Sequence, residues 1–309
     1  MKKKVLFDHD GGIDDLLCLL LLLRMPHVEL LGVTITPADC YLEPAAQATG
    51  QILKKAGRED IPIGLGDYYG QHAFPADWRA QPMFINALPS LIGIEPPPIQ
   101  QLPTAVELII QQLQQASSKV SVLMTGPCSN LMLALEQAPE LAQKIEEVIW
   151  MGGAVAVGGN VQAHGHDGSA EWNAYWAPKH TQALIASGLP LVLIPLDVTN
   201  QVPVSLDFLK KLAQLPFDYA QLAGQLWAST VHTIPSYHYT YYMWDVLATC
   251  YLELAPYFKL EEKRLLTALY SPNAGQTYEE EEGHPTQVAI QVEAPVFYEY
   301  ILELLKANF

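Results

Sequence analysis

The sequence predicts an α/β fold: one large domain, a mostly parallel sheet flanked by helices, and a site at the carboxyl ends of the strands. Three observations carry that reading. Short apolar runs alternate with amphipathic stretches through the first two thirds of the chain, as parallel strands joined by crossover helices require. With 309 residues, 50% of them hydrophobic, the chain can bury one substantial core. Charged residues make up only 16%, which argues against disorder. No internal repeat is evident, so the expectation is a single domain over residues 1–309.

The elements follow in order. Strands are predicted at 5–7, 28–36, 61–65, 120–124, 145–151 and 191–194. Helices are predicted at about 13–24, 44–56, 105–116, 129–136 and 179–186, and a last one at about 294–305. The order describes a Rossmann-like sheet. Residues 16–23 are apolar throughout, but Asp15 and Arg24 bound them and the run is too short to span a bilayer, so it reads as a buried helix. Two stretches break the alternation. Residues 68–101 are rich in Pro and Gln. Residues 216–243 are helical by composition and end in Tyr237, Tyr239, Tyr241 and Tyr242. Long loops in compact domains are often lids or binding loops, and mobile loops are expected at about 68–101 and 227–243. The acidic run 279–282 reads as a solvated turn.

Charge and cysteine usage narrow the partners. A net charge of −16 repels nucleic-acid backbones, so no polymeric nucleic acid is expected. The basic start meets an acidic run almost at once, which excludes a secretory apolar core, and no membrane partner is expected. Cys18, Cys40, Cys128 and Cys250 form no CxxC pair and support neither zinc nor thioredoxin-type chemistry. A reduced, cytoplasmic setting is the simplest inference. A homo-oligomer is left open.

The chemistry-bearing residues cluster just past the predicted strands. Asp8, Asp10, Asp14 and Asp15 follow the first, Asp39 the second, Thr125-Gly-Pro127 the fourth, Gly152-Gly153 the fifth and Asp197 the sixth. In an open α/β sheet those ends share one edge, where ligands bind. Four aspartates within eight residues repel one another and are driven toward protonation unless a cation neutralises them. Oxygen donors of this kind select calcium or magnesium over zinc. Asp14 or Asp15 alone could equally serve the start of the helix near Ile13. The spacing and terminal Glu of an EF-hand are absent.

Asp8-His-Asp-Gly-Gly-Ile-Asp-Asp15 resembles the signature of the calcium-dependent nucleoside hydrolases. Thr125-Gly-Pro-Cys-Ser-Asn130, Met151-Gly-Gly153, Glu171-Trp-Asn173 and Trp244-Asp245 recur in that family's order. Ala38-Asp-Cys40, Trp78-Arg79, the segment from Asp167 to Trp176, Thr199-Asn200 and Tyr241-Tyr-Met-Trp-Asp245 are most similar to its purine-specific inosine–adenosine–guanosine branch. The chain departs from other branches in carrying Trp244 where they carry a His, their presumed leaving-group acid. It departs from the purine-specific branch at Gly12, where Asn can occur.

The resemblance implies hydrolysis of the N-glycosidic bond of ribonucleosides, purines preferred, to free base and ribose. Asp10, Asp15 and Asp245 would bind Ca²⁺ by carboxylate and Thr125 by its carbonyl. Asp14, Asn160 and Asn173 would hold the 2′- and 3′-hydroxyls, Glu171 the 5′-hydroxyl, and Met151 would line the sugar pocket. Asp39 and His232 would lie on the base side, with Trp78 and Trp244 stacked on the base. A water on the calcium would be made acidic and Asp10 would take its proton as general base. Trp150, Trp172 and Trp176 read as structural, and His9 as support behind the cluster. Two alternatives stay open at this point. One is an aspartate-nucleophile phosphatase, from Asp8-His-Asp10. The other is a calcium-dependent nucleoside binder without turnover.

Overall fold

A computed structural model describes residues 2–76, 79, 85–230 and 240–309. Nine strands form one sheet: β1 (Lys3–His9), β2 (Val28–Ile35), β3 (Ile63–Leu65), β4 (Val120–Met124), β5 (Ile145–Met151), β6 (Leu191–Ile194), β7 (Phe258–Thr267), β8 (Thr277–Glu279) and β9 (His284–Val292). Their spatial order is β3-β2-β1-β4-β5-β6-β9-β7-β8. All pairings from β3 across to β9 are parallel. β7 runs antiparallel to both β9 and β8. The strand order changes direction between β1 and β4, which leaves a crevice at their carboxyl ends.

The helices among the described residues are α1 (Ile13–Arg24), α2 (Leu42–Lys55), α3 (Ala105–Gln115), α4 (Ser129–Gln137), α5 (Trp172–Trp176), α6 (Pro178–Ala186), α7 (Leu196–Thr199), α8 (Leu206–Ala213), α9 (Asp218–Ser229), α10 (Trp244–Leu254) and α11 (Ala294–Leu304). α1, α2, α9, α10 and α11 contribute to one core. α3, α4 and α6 contribute to a second. α1 packs against α2, α9 and α10, so Leu16, Leu17 and Leu19 to Leu22 are buried on every side. That is why its sequence lacks a polar face.

The predicted parallel half is present, with shifted ends. β1 runs on to His9, so Asp8 lies inside the strand rather than beyond it. A buried strand accepts Asp8 because Thr34 Oγ1 and Asn130 Nδ2 donate to its Oδ1, at 2.7 and 2.8 Å. β7 and β9 lie outside every strand that the sequence predicts. The acidic turn is shorter than expected, because Glu279 belongs to β8. Residues 77, 78, 80–84 and 231–239, parts of the two expected loops, lie outside the described residues.

Candidate active site

The first strand–helix connection sets the site. Gly11 has φ +81°, and a side chain there would collide with Cβ of Ala45 and Cβ of Cys40. Glycine is therefore required for the chain to turn from β1 into α1 beside α2. Gly12 N donates to Asp15 Oδ2 at 2.7 Å, so one carboxylate oxygen of Asp15 secures the helix start. Its other oxygen accepts the hydroxyl of Thr125, just past β4. A Cβ at Gly12 would lie 2.5 Å from Asp39 Oδ2 and 3.1 Å from oxygens of Asp14 and Asp15. An Asn here would require Asp39 to move.

Because α1 and α10 pack together at their first turns, Asp14 and Asp15 meet Asp245. One carboxylate oxygen from each of the three lies within 4.8 Å of the others, and all three residues are buried. Asp14 is hydrogen-bonded to Asp245 and accepts the hydroxyl of Tyr241. Asp10 is hydrogen-bonded to Asp15. Asp39 N donates to Asp10 Oδ2 at 3.2 Å. Burial first, and then the charge of Asp15, holds Asp14 up at about 7 and Asp10 well above the usual carboxylate range. Burial and the charges of Asp14 and Asp15 do the same to Asp39 and Asp245. The positive helix ends favour carboxylates at Asp14, Asp15 and Asp245. Desolvation and mutual repulsion outweigh that benefit here. A hard divalent cation relieves both penalties, and the buried all-oxygen donor set fits one.

A single cavity collects most of the predicted residues. Asp10, Asp14, Asp39, Thr125, Met151, Asn160, Glu171, Asn173, Trp244 and Asp245 all line it. Asn173 Nδ2 donates to the carbonyls of Thr125 and Met151, at 2.8 and 3.1 Å, and so ties the ends of β4 and β5 together. The Thr125 carbonyl, expected to hold the cation, accepts this amide. Glu171 accepts the amides of Gly153, Asn173 and Ala174, at 2.9, 2.8 and 3.1 Å. Burial still holds it up at about 7. Asn160 Oδ1 accepts Trp172 N at 3.1 Å.

Some placements differ from the sequence reading. The tight acidic trio contains Asp14, expected as a sugar ligand, and not Asp10. Neighbouring aspartates are indistinguishable in sequence, and the packing of α1 on α10 selects Asp14. Asp197 is absent from the cavity lining, because it accepts the amides of Val155 and Ala156 at 2.9 and 2.7 Å. Trp150 and Trp176 are fully buried, as expected of structural residues. Trp172, read the same way, lines the cavity instead. So do Ile13 and Tyr241, which stand in the motifs quoted above with no role attached, and Phe74, which carries no signature in the sequence. Phe74 and Trp172 meet with ring centroids 5.0 Å apart. His9 stacks on Phe7 and accepts Gly11 N at 3.0 Å, behind the acidic cluster. Trp78 and His232 lie outside the described residues. Asp8 is buried and lines no part of the cavity, which removes it as a phosphatase nucleophile.

A buried carboxylate cluster suited to a cation, amide and carboxylate groups beside it, and a place at the switch point of a doubly wound sheet define a small-molecule site. Comparison with known proteins makes the class specific. Residues 5–299 match the family described as inosine-uridine preferring nucleoside hydrolase, and the chain belongs to that family. Its members cleave nucleosides at the N-ribosyl bond and are typically metal-dependent. An inosine-uridine preferring nucleoside hydrolase from Bacillus anthracis superposes with a TM-score of 0.89 at 36% identity, over 98% of this chain and 99% of that one. The pyrimidine-specific ribonucleoside hydrolase RihA of Shewanella baltica is 29% identical over 73% of this chain and 69% of its own length. A probable uridine nucleosidase of Arabidopsis thaliana is 28% identical over 71% of this chain and 67% of its own.

Proposed function

We propose that this hydrolase prefers purine ribonucleosides, holds Ca²⁺ in its acidic cluster and uses Asp10 as general base. The base preference rests on one observation. Trp244 lines the cavity beside Asp245, with its ring 4.8 Å from that of Tyr241, and no histidine lines it among the described residues. The names of the relatives include both uridine- and inosine-directed enzymes, so this chain's own base-side residues decide the reading.

Asp14, Asp15 and Asp245, with Asp10 beside them, would hold the cation, and the Thr125 carbonyl is a further donor. Such an ion supplies Lewis acidity and an anchoring charge for hydroxyl oxygens. Asp10 is held by the Asp39 amide, and its carboxylate beside the cation is placed to take a proton from an attacking water. It takes the proton of the water whose oxygen bonds to C1′ as the C1′–N bond breaks. Positive charge on the ribose is stabilised by the surrounding carboxylates. Asn160 and Asn173 would hold the sugar hydroxyls, Glu171 the 5′-hydroxyl and Met151 the sugar face. Asp39 and His232 would lie on the base side, where Trp78 and Trp244 stack on a purine and favour its protonated form, the proton coming from solvent. No disulfide joins the four buried cysteines, which suits the proposed cytoplasmic setting. No helix among the described residues is long and apolar enough to cross a membrane.

The test is release of free base from inosine, adenosine, guanosine, uridine and cytidine, before and after chelation. Purines should be cleaved far faster, chelation should stop turnover, and Ca²⁺ should restore it better than Mg²⁺. Preference for uridine overturns the purine assignment. Full activity of verified metal-free protein overturns the cation.

A further inference from the structure

We propose that Arg79 is a positioning residue for the leaving group: its guanidinium, held over Tyr41 beside Asp39, offsets the negative charge that a base carries away when the C1′–N bond breaks. This role rests on the N-ribosyl hydrolase reading, and it adds a residue to which no function is attached above.

The need follows from the cavity's charge. Asp10, Asp14, Asp39, Glu171 and Asp245 line it, and no lysine or arginine does so among the described residues. Such walls favour a ribose that becomes positive. They oppose a base that departs with the bonding electron pair. A histidine that protonates the base removes the conflict, and the position next to Asp245 is occupied by Trp244 instead.

Arg79 meets that need from outside the lining. Its backbone amide donates to Pro75 O at 3.3 Å, next to Phe74 in the cavity wall. Its guanidinium carbon lies 4.8 Å from the centroid of the Tyr41 ring, a cation–π contact. Tyr41 is two residues beyond Asp39, on the turn that the Asp39 amide fastens to Asp10. Arg79 thus sits between the chain segments that follow Asp39 and Phe74, two residues of the lining. Among the charges that bear on Asp39, those of Asp14 and Asp15 disfavour ionisation, and that of Arg79 favours it. A guanidinium keeps its charge at any physiological pH, so the offset is permanent.

The step balances as follows. Both electrons of the C1′–N bond stay on the base. C1′ gains a bond to the water oxygen, and the proton released goes to Asp10. Negative charge that builds on the base before the solvent proton arrives, over its ring nitrogens and any carbonyl oxygen, is offset by the charge of Arg79, and stacking then favours uptake of that proton. Arg79 transfers none.

The test compares wild type, Arg79→Gln and Arg79→Lys in the full-length, Ca²⁺-loaded enzyme. Inosine leaves as an anion unless protonated. 7-Methylguanosine leaves as a neutral base. Arg79→Gln should lower kcat for inosine by ~100-fold, and kcat for 7-methylguanosine by no more than ~3-fold. Arg79→Lys, which keeps the charge, should recover most of the inosine rate. Thermal midpoints confirm that each variant is folded. An equal fall for inosine and for 7-methylguanosine makes Arg79 merely structural and overturns the proposal, as does a rise in KM with inosine kcat unchanged. If the wild type cleaves neither, the hydrolase reading itself fails, which is a distinct result.

Discussion

The two ends of the cavity are built by different means. At the acidic end, assigned to the sugar and cation, side chains come from strand ends and helix first turns. Asp10 follows β1, Thr125 follows β4, Asp14 and Asp15 open α1, and Asp245 opens α10. These groups are buried and hydrogen-bonded to one another or to backbone. At the end assigned to the base the described walls are Asp39, Phe74, Tyr241 and Trp244, and the first three lie in connections between elements. The sugar is the same in every ribonucleoside and the base is not. On the proposed assignment, strand ends and helix first turns would read the constant part and connections the variable part, where sequence change costs the fold least.

The largest test of this division is removal of one sugar hydroxyl. A buried site that pairs polar groups with a hydroxyl rejects the analogue lacking it by ~10⁴-fold or more. 2′-Deoxyinosine should therefore fall below inosine by that order in kcat/KM, a far wider gap than between two purine bases. Comparable values would show that the acidic end does not read the diol. Next in size is Asp10→Asn, which keeps the shape and removes the base. Its kcat should fall by ~10³-fold, within the range for general-base loss, with the thermal midpoint preserved. A residual rate above a tenth of wild type would take the base role away from Asp10.

The same division explains what could be read in the sequence. β1, β2, β4 and β5 are apolar runs buried on both faces, so their residues announced them. Carboxylates at strand ends carry chemistry in their type, so the sequence alone picks out acidic residues that share one cavity. β7 was hidden because Lys259, Glu261, Glu262, Lys263 and Arg264 give it a polar appearance, and only its pairing with β9 makes it a strand. The partnership of Asp14 with Asp245 was hidden because it depends on two helices distant in sequence packing side by side. Phe74 and Trp172 were hidden because an aromatic ring looks alike whether it fills a core or walls a pocket.

A third test separates the ends by pH. Burial and neighbouring charge raise the carboxylates of the cation-free site, Asp14 to about 7 and Asp10 and Asp245 well above their ordinary value. In the unfolded chain such groups titrate near ~3.9. A raised folded-state affinity for protons stabilises the fold fully below the unfolded value, and that stability is lost as pH rises through the folded one. The midpoint of chelated protein should therefore fall between pH 5 and pH 8, by about 5 °C or more. Ca²⁺ should stabilise more at pH 8 than at pH 5. Asp245→Asn should remove most of that Ca²⁺ effect, and Trp244→Phe, one residue away at the base end, should leave it intact. A flat pH response of the chelated protein would mean that these carboxylates do not repel one another as the structure implies.

The smallest expected effect is at Trp244, and it bears most directly on the base. The indole Nε1 is buried without a hydrogen-bond partner among the described residues, so the ring face rather than the N–H is what this side chain can offer a ligand. Stacking of a base on an aromatic ring contributes about 1–3 kcal/mol by alanine substitution. If the contact strengthens as the purine takes up a proton and departs, Trp244→Ala lowers kcat by ~10-fold, because the lost interaction belongs to the transition state. 4-Nitrophenyl riboside needs no proton on its leaving group, so its kcat should fall much less. Trp244→Phe should retain most of the inosine rate. A rise in KM for inosine with kcat unchanged would leave the tryptophan with binding alone. Leaving-group chemistry at this end would then rest on the charge of Arg79, whose variant should show the opposite split, with kcat lowered and KM little changed.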